Sequence, residues 1–167
     1  MIIGGIERDF VVHDDENVKG FFDSDKGSYR WLSNFHKAPV YFEGILYPST
    51  ENAYQAAKTE DYDTRFRFSI IEPSKSKRLS KELIEPDDWL SRKYDIMFML
   101  CYQKFYRHKD LRELLLQTEG KYLEETNMWN DVWWGVCNGV GENNLGRILM
   151  DIRKLIRRNP AYKGFSI

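Results

Sequence analysis

Leu145, Ile148, Leu149, Ile152, Leu155 and Ile156 recur three and four residues apart. That period puts all six on one stripe of an α-helix, opened by Glu142 or Asn143, and so apolar a stripe has to be buried against another element. Trp89, Met97, Leu100, Cys101 and Phe105 form a second such face, on a long helix capped by Asp87 or Asp88 and running to about His108. Shorter helices are predicted over Glu51–Thr59 with Ser49 or Thr50 as N-cap, Thr64–Ile71, Ser74–Leu83 and Asp110–Gln117, with Pro73, Pro86 and Gly120 as stops.

The β signals are shorter. Residues 1–12 read as a β segment ending in the polar turn His13–Asn17, and Val18–Phe22 as a strand followed by turn chemistry over Asp23–Ser28. Val40–Phe42 and Ile45–Tyr47 flank Glu43-Gly44 as a hairpin, while Tyr122-Leu123 and Val132–Val136 are strand candidates. No repeat, low-complexity tract or Gly/Ser linker interrupts the 167 residues, so the expectation is one compact α+β domain, mostly helical with a small β-sheet. Residues 1–17 are expected to be an extension packed on a domain spanning 18–167.

Composition excludes several function classes. With 25 Lys and Arg against 26 Asp and Glu, the net charge is -1, which argues against holding nucleic acid mainly by its phosphates. Cys101 and Cys137 make no disulfide framework and no Cys pair at metal spacing, which predicts a reducing, cytoplasmic setting. His13, His36 and His108 are scattered, so no metal is expected. No apolar run spans a membrane, and the charged start MIIGGIERDF is unlike a signal peptide. Aromatic residues reach 15%, as core or as a platform for a flat ligand.

Four clusters carry chemistry. Glu51, Gln55 and Lys58, with Tyr54 beside them, share one predicted helix face. A carboxylate and an amine on one stripe suit acid–base and Schiff-base work, although on spacing alone the pattern reads as a solvated face. Asp131-Val-Trp-Trp134-Gly135 presents a carboxylate on a short aromatic strand, whose two indoles would point to opposite faces. Packing tryptophans and a turn Asp explain it equally well. Gly141, Asn143 and Gly146 belong to a Gly-rich loop feeding a helix, which offers N–H groups to a phosphate or simply a turn and N-cap. Trp31, Asn34 and Phe35 suit stacking and hydrogen bonding to a heterocycle. Core packing accounts for the two rings but not for Asn34. The basic run from Lys75 through Lys77 and Arg78 to Lys81 reads as a solvated helix face, with contact to substrate phosphates as the lesser reading.

The order of these pieces resembles one family. Tyr29-x-Trp31-Leu-Ser-Asn34-Phe35 is followed by Tyr47-Pro-Ser-x-Glu51-x-x-Tyr54-Gln55-Ala-x-Lys58, Lys104-Phe105, Leu123-x-Glu125, Asp131-x-x-Trp134-Gly135 and Gly141-x-Asn143-x-Leu145-Gly146-x-x-Leu149-Met150. From about Val18 to Arg158 this is similar to the NADAR superfamily, the YbiA-like N-glycosidases. Asn52 stands where the family often has His, and Val136-Cys137-Asn138 replaces its acidic, Gly-rich stretch.

The resemblance implies hydrolysis of the bond between ribose C1 and an exocyclic amine, without cofactor or metal. It implies either ribosylamino-pyrimidine phosphates of the early riboflavin pathway or ADP-ribose on guanine as substrate, so the expected partner is a nucleotide or sugar phosphate, or ADP-ribosylated nucleic acid. It casts Lys58 as nucleophile and Glu51 and Asp131 as proton carriers. Trp31 and Trp134 stack on or enclose the heterocycle or ribose, Asn34 and Gln55 orient it, the helix opening at Asn143 holds phosphate, and Phe35, Tyr54, Gly135, Gly141 and Gly146 belong to the same substrate-binding set. Two other readings compete: a non-catalytic ADP-ribose or nucleotide-binding module, and a partner-binding protein in which Glu51, Lys58, Asp131 and Asn143 are dispersed.

Overall fold

Local chemistry starts the hairpin and the first two helices of the computed structural model, which describes residues 17–21 and 29–159. The β segment and turn expected before Asn17, the turn over Asp23–Ser28 and the packing of an N-terminal extension lie outside the described residues. Glu43 and Gly44 both take positive φ, 43° and 83°, as a two-residue hairpin turn requires. Across it β2 (Lys37–Phe42) and β3 (Ile45–Ser49) pair antiparallel, with a register slip between Lys37 and Val40, where Pro39 has no N–H for the ladder.

Ser49 leaves β3 as the N-cap of α1 (Thr50–Ala56), its Oγ accepting from the Asn52 amide at 3.2 Å. Asn52 is fully buried, and its Nδ2 donates to the carbonyls of Phe68 and Ile71, both at 2.8 Å. It thereby fastens α1 to the end of α2 (Tyr62–Ser69), itself capped by Asp61. The run predicted as one helix over Ser74–Leu83 splits into α3 (Pro73–Leu79) and a 3₁₀ turn, Ser80–Glu82.

The long helix α4 (Trp89–Arg107) is the axis of the molecule and touches α1, β2, α5 (Lys109–Gln117) and α6 (Asn144–Arg158). Leu100, Phe105, Leu115, Ile148, Leu149 and Ile152 are fully buried where these helices meet. Leu155, predicted on the buried stripe of α6, is 38% exposed. Arg153 is buried in its neighbourhood instead, donating to the Thr118 and Lys121 carbonyls at 2.5 and 3.0 Å.

Among the described residues the β content is three two-stranded pairs: the β2–β3 hairpin, and two parallel pairs. One joins β1 (Asn17–Lys19) to β4 (Tyr122–Glu124), and the other joins β5 (Thr126–Asn127) to β6 (Val136–Cys137). Among the described residues no helix is long and apolar enough to cross a membrane.

Two buried features make stability testable. A Cβ at Gly146 would strike the Leu123 carbonyl, where α6 lies directly against β4. Gly146→Ala is therefore expected to cost about 1–3 kcal/mol in urea unfolding. Lys104, with no exposure, donates to the Ser33 carbonyl at 2.8 Å, and burial pushes its amine down to about 7. Between about pH 7 and the ordinary value of 10.5 the unfolded chain binds a proton there that the folded chain does not, so this residue's contribution to stability rises with pH. The stability of the wild type relative to Lys104→Met should increase from pH 7 to pH 10 in parallel denaturation series.

Candidate active site

A cavity of about 480 Å³ opens between the loop at Ser33–Phe35, the C-terminal end of α1, α3, and the segment from Glu125 to Trp134. Met97 of α4 and Leu145 of α6 also line it. The Ser33–Phe35 loop is held from below by Lys104 and from the side by the Glu51 amide, which donates to the Asn34 carbonyl at 3.0 Å. The Asn34 side chain faces two sulfurs, donating to Met97 Sδ at 3.3 Å and accepting from Cys101 Sγ at 3.7 Å.

Glu51, Tyr54, Gln55 and Lys58 all reach this cavity. The helix ends at Ala56, so Lys58 sits in the turn beyond it, its amide donating to the Gln55 carbonyl at 3.2 Å. The solvated-face reading does not survive: Glu51 and Gln55 are each 5% exposed. Burial pushes the Glu51 carboxyl above its ordinary range. A 2.8 Å hydrogen bond from Gln55 Nε2 and the charges of Lys77 and Lys58 oppose that rise, and Asp131 adds to it. Gln55 Oε1, buried at the same wall, has no hydrogen-bond partner among the described residues.

Lys58 Nζ pairs with Glu85 Oε1 at 2.8 Å and lies 5.8 and 5.6 Å from the ring centroids of Tyr54 and Trp89, a cation held against two aromatic faces. Burial also pushes the Tyr54 phenol up, against a hydrogen bond from the Trp134 side chain.

The strand predicted at Val132–Val136 begins only at Val136. Asp131 Oδ1 accepts from the Trp134 amide at 2.9 Å, a side-chain-to-backbone bond that closes a turn in place of a ladder. Trp133 and Trp134 consequently do not point to opposite faces. Their rings meet edge to face at 4.4 Å, and Trp134 lines the cavity beside Asp131.

The carbonyls of this turn face the start of α6. The amides of Glu142, Asn143, Asn144 and Leu145 donate to the carbonyls of Val132, Gly135, Trp133 and Trp134 at 2.8–3.3 Å. The N–H groups predicted to hold phosphate are therefore consumed by the protein's own backbone. Asn143 sits in the left-handed region (φ 54°). Its side chain is spent on the Glu125 amide at 3.0 Å, the Leu123 carbonyl at 2.9 Å and the Tyr122 hydroxyl at 3.0 Å.

Gly135, Gly141 and Gly146 lie so close to neighbouring backbone that a Cβ would strike Glu125, Gly135 and Leu123 carbonyls respectively. With Asn143, these three glycines build the site's frame and do not line the cavity. Trp31 is a further correction: 9% exposed, it packs at 74° on Phe105 with centroids 6.0 Å apart and does not line the cavity. The structure thus brings together Asn34, Phe35, Glu51, Tyr54, Gln55, Lys58, Asp131 and Trp134.

For the basic run the structure favours the lesser of the two sequence readings, a wall of the cavity over a purely solvated face. Lys77, Arg78 and Lys81 line the cavity, and their three- and four-residue spacing was the available signal. The sequence reading gives no site role to Glu85, Glu125, Trp129 or the buried Asn127, whose Oδ1 accepts from the amides of Trp129 and Asp131 at 3.2 and 3.0 Å.

Residues 20–157 match the NADAR domain family. The chain is 34% identical over 138 residues to the N-glycosidase YbiA of Escherichia coli (strain K12), covering 80% of this chain and 85% of that protein. It is 29% identical over 147 residues to the Riboflavin biosynthesis protein VVA0006 of Vibrio vulnificus (strain YJ016), covering 85% of this chain and 39% of that longer protein. The NMR structure of the E. coli protein YbiA superposes with a TM-score of 0.75 at 28% identity, over 89% of each chain.

Because the Gln55 hydrogen bond favours the Glu51 carboxylate, its loss should push that carboxyl higher still. In Gln55→Leu, ¹³C-detected titration of the glutamate carboxyls should show the Glu51 midpoint moving up from its wild-type position.

Proposed function

This chain belongs to the NADAR family, and we propose that it is an N-glycosidase, a hydrolase that cuts the bond between ribose C1 and the exocyclic amine of a heterocycle. The observation that carries this reading is the meeting of Glu51, Lys58 and Asp131 on one cavity, with Glu51 buried and its carboxyl held toward the protonated form. A dispersed constellation, as a purely partner-binding protein would have, is not what the fold builds.

The chemistry follows from these groups. A glycosylamine opens to an iminium when a proton reaches the ring oxygen. A carboxyl whose hold on its proton is strengthened by burial, as that of Glu51 is, is suited to supply such a proton. Lys58 passes one ammonium proton to Glu85 as it leaves that pair and adds to C1 as the free amine. Its attack expels the heterocycle as the free amine, which takes a proton as it departs, and leaves an imine between Nζ and C1. Asp131 accepts a proton from water as the water adds to that imine. Collapse of the carbinolamine returns Lys58 and releases the free sugar. Gln55 Oε1 is an available acceptor for a sugar hydroxyl, and Trp134 and Tyr54 wall the site.

Lys77, Arg78 and Lys81 stand on the cavity wall where the α6 N-terminus was expected to serve, which supports a phosphorylated sugar. Ribosylamino-pyrimidine phosphates and ADP-ribosyl-guanine share that chemistry. Similarity to a riboflavin biosynthesis protein makes the first the leading candidate.

Parallel hydrolysis of a ribosylamino-pyrimidine phosphate and of ADP-ribosylated guanosine, read by free base and free sugar, tests the assignment. Turnover of one is expected, and stoichiometric binding of both without turnover would make the protein a nucleotide-binding module instead. Borohydride added during turnover should trap the sugar on the Lys58 peptide. Lys58→Ala should lose about 10³-fold or more in kcat, and Glu51→Gln about 10²–10⁴-fold. An active Lys58→Ala with no trapped adduct would leave Glu51 and Asp131 as acid and base for direct water attack.

A further inference from the structure

Trp129 is 45% exposed at the mouth of the cavity, on a loop with no helix or strand of its own. The loop is nevertheless fixed. Asn127, 3% exposed, accepts from the Trp129 and Asp131 amides and donates back to the Asp131 carbonyl at 2.8 Å. Asn130 turns the chain between them at φ 63°, in the left-handed region that Asn tolerates. The opposite side of the mouth is Phe35, whose loop is closed by its own amide donating to Ser33 Oγ at 3.2 Å.

One atom relates the two rings. Lys77 Nζ lies over the Phe35 ring at 5.9 Å and over the Trp129 ring at 5.4 Å from their centroids. Two aromatic rings, on loops each held by its own hydrogen bonds, therefore face one point of the cavity, and the exposed Lys77 side chain of α3 occupies it. An ammonium gains from each face only the modest attraction of an exposed cation–π contact. A planar heterocycle covers far more of each ring and excludes water from both.

We infer that Phe35 and Trp129 form a slot for the heterocycle that leaves the sugar, and that Lys77 fills this slot until the heterocycle displaces it. Once displaced, Lys77 remains on the wall it shares with Arg78 and Lys81. The slot deepens the N-glycosidase reading and rests on it for the identity of its occupant. It recognises a flat ring by stacking, and the tolerance of stacking for any base leaves purine and pyrimidine as the two sources to separate.

Calorimetric titration of the full chain with 9-ethylguanine, 5-aminouracil and ribose 5-phosphate tests it without any turnover. Failure of the hydrolysis assays and failure of the slot are therefore separate results. Trp129→Ala should weaken binding of at least one heterocycle about tenfold or more and leave ribose 5-phosphate within about twofold, with Trp129→Phe recovering most of the loss. The heterocycle that loses more identifies the preferred ring. Lys77→Met should bind that heterocycle at least as tightly as the wild type. The slot is overturned if neither heterocycle binds the wild type, if Trp129→Ala binds both unchanged, or if it loses ribose 5-phosphate equally, which would mark a collapsed loop. Weaker heterocycle binding by Lys77→Met would overturn the displacement.

Discussion

Four consecutive backbone amides at the start of α6 are satisfied by four consecutive carbonyls of the 132–135 turn, and the active cavity depends on that exchange. Helix N-termini carry unpaired donors that must find partners. Here they find them in a turn that is itself closed by Asp131, so the same contact that caps the helix fixes the carboxylate and the Trp134 ring beside it. Glycines at 135, 141 and 146 are needed because backbone approaches backbone too closely there for any Cβ. Asn143 completes the junction by reaching β4 and the Glu125 amide from a left-handed backbone. A Gly-rich loop before a helix is thus put to internal use, although the same pattern elsewhere holds phosphate.

The electrostatics of the cavity are local and are hidden in the chain's average. A net charge of -1 coexists with a site in which one buried carboxyl and Asp131 face Lys58, Lys77, Arg78 and Lys81. The cations favour the Glu51 carboxylate, but burial outweighs them. This division favours the protonated form of an acid in the interior while Lys77, Arg78 and Lys81 bring positive charge to the cavity wall.

Much of this was legible from residues alone. The apolar stripes of α4 and α6 emerged at the helical period because each buries one face, and the β2–β3 hairpin emerged because Glu43-Gly44 demands left-handed backbone. Glu51, Gln55 and Lys58 were grouped correctly, but spacing could not separate a buried wall from a solvated face, since both present the same period. The 132–136 segment was misread as a strand because its aromatic composition outweighed a single turn-forming Asp. Trp31 was assigned to a ligand because nothing in a lone chain says which tryptophan meets Phe105. The Lys77–Lys81 wall looked like ordinary surface charge until α3 was placed across from Phe35 and Trp129.

The sequence by itself determined most of the element types, through local periodicity and turn chemistry, and, through the order and identity of its motif residues, the family and the side chains able to carry nucleophilic and acid–base chemistry. Only the tertiary structure decided which groups face the cavity, which are spent holding the frame, and which charges surround Glu51. Those are properties of separation and burial between segments far apart in the chain, from Asn34 to Leu145, and no local pattern encodes them.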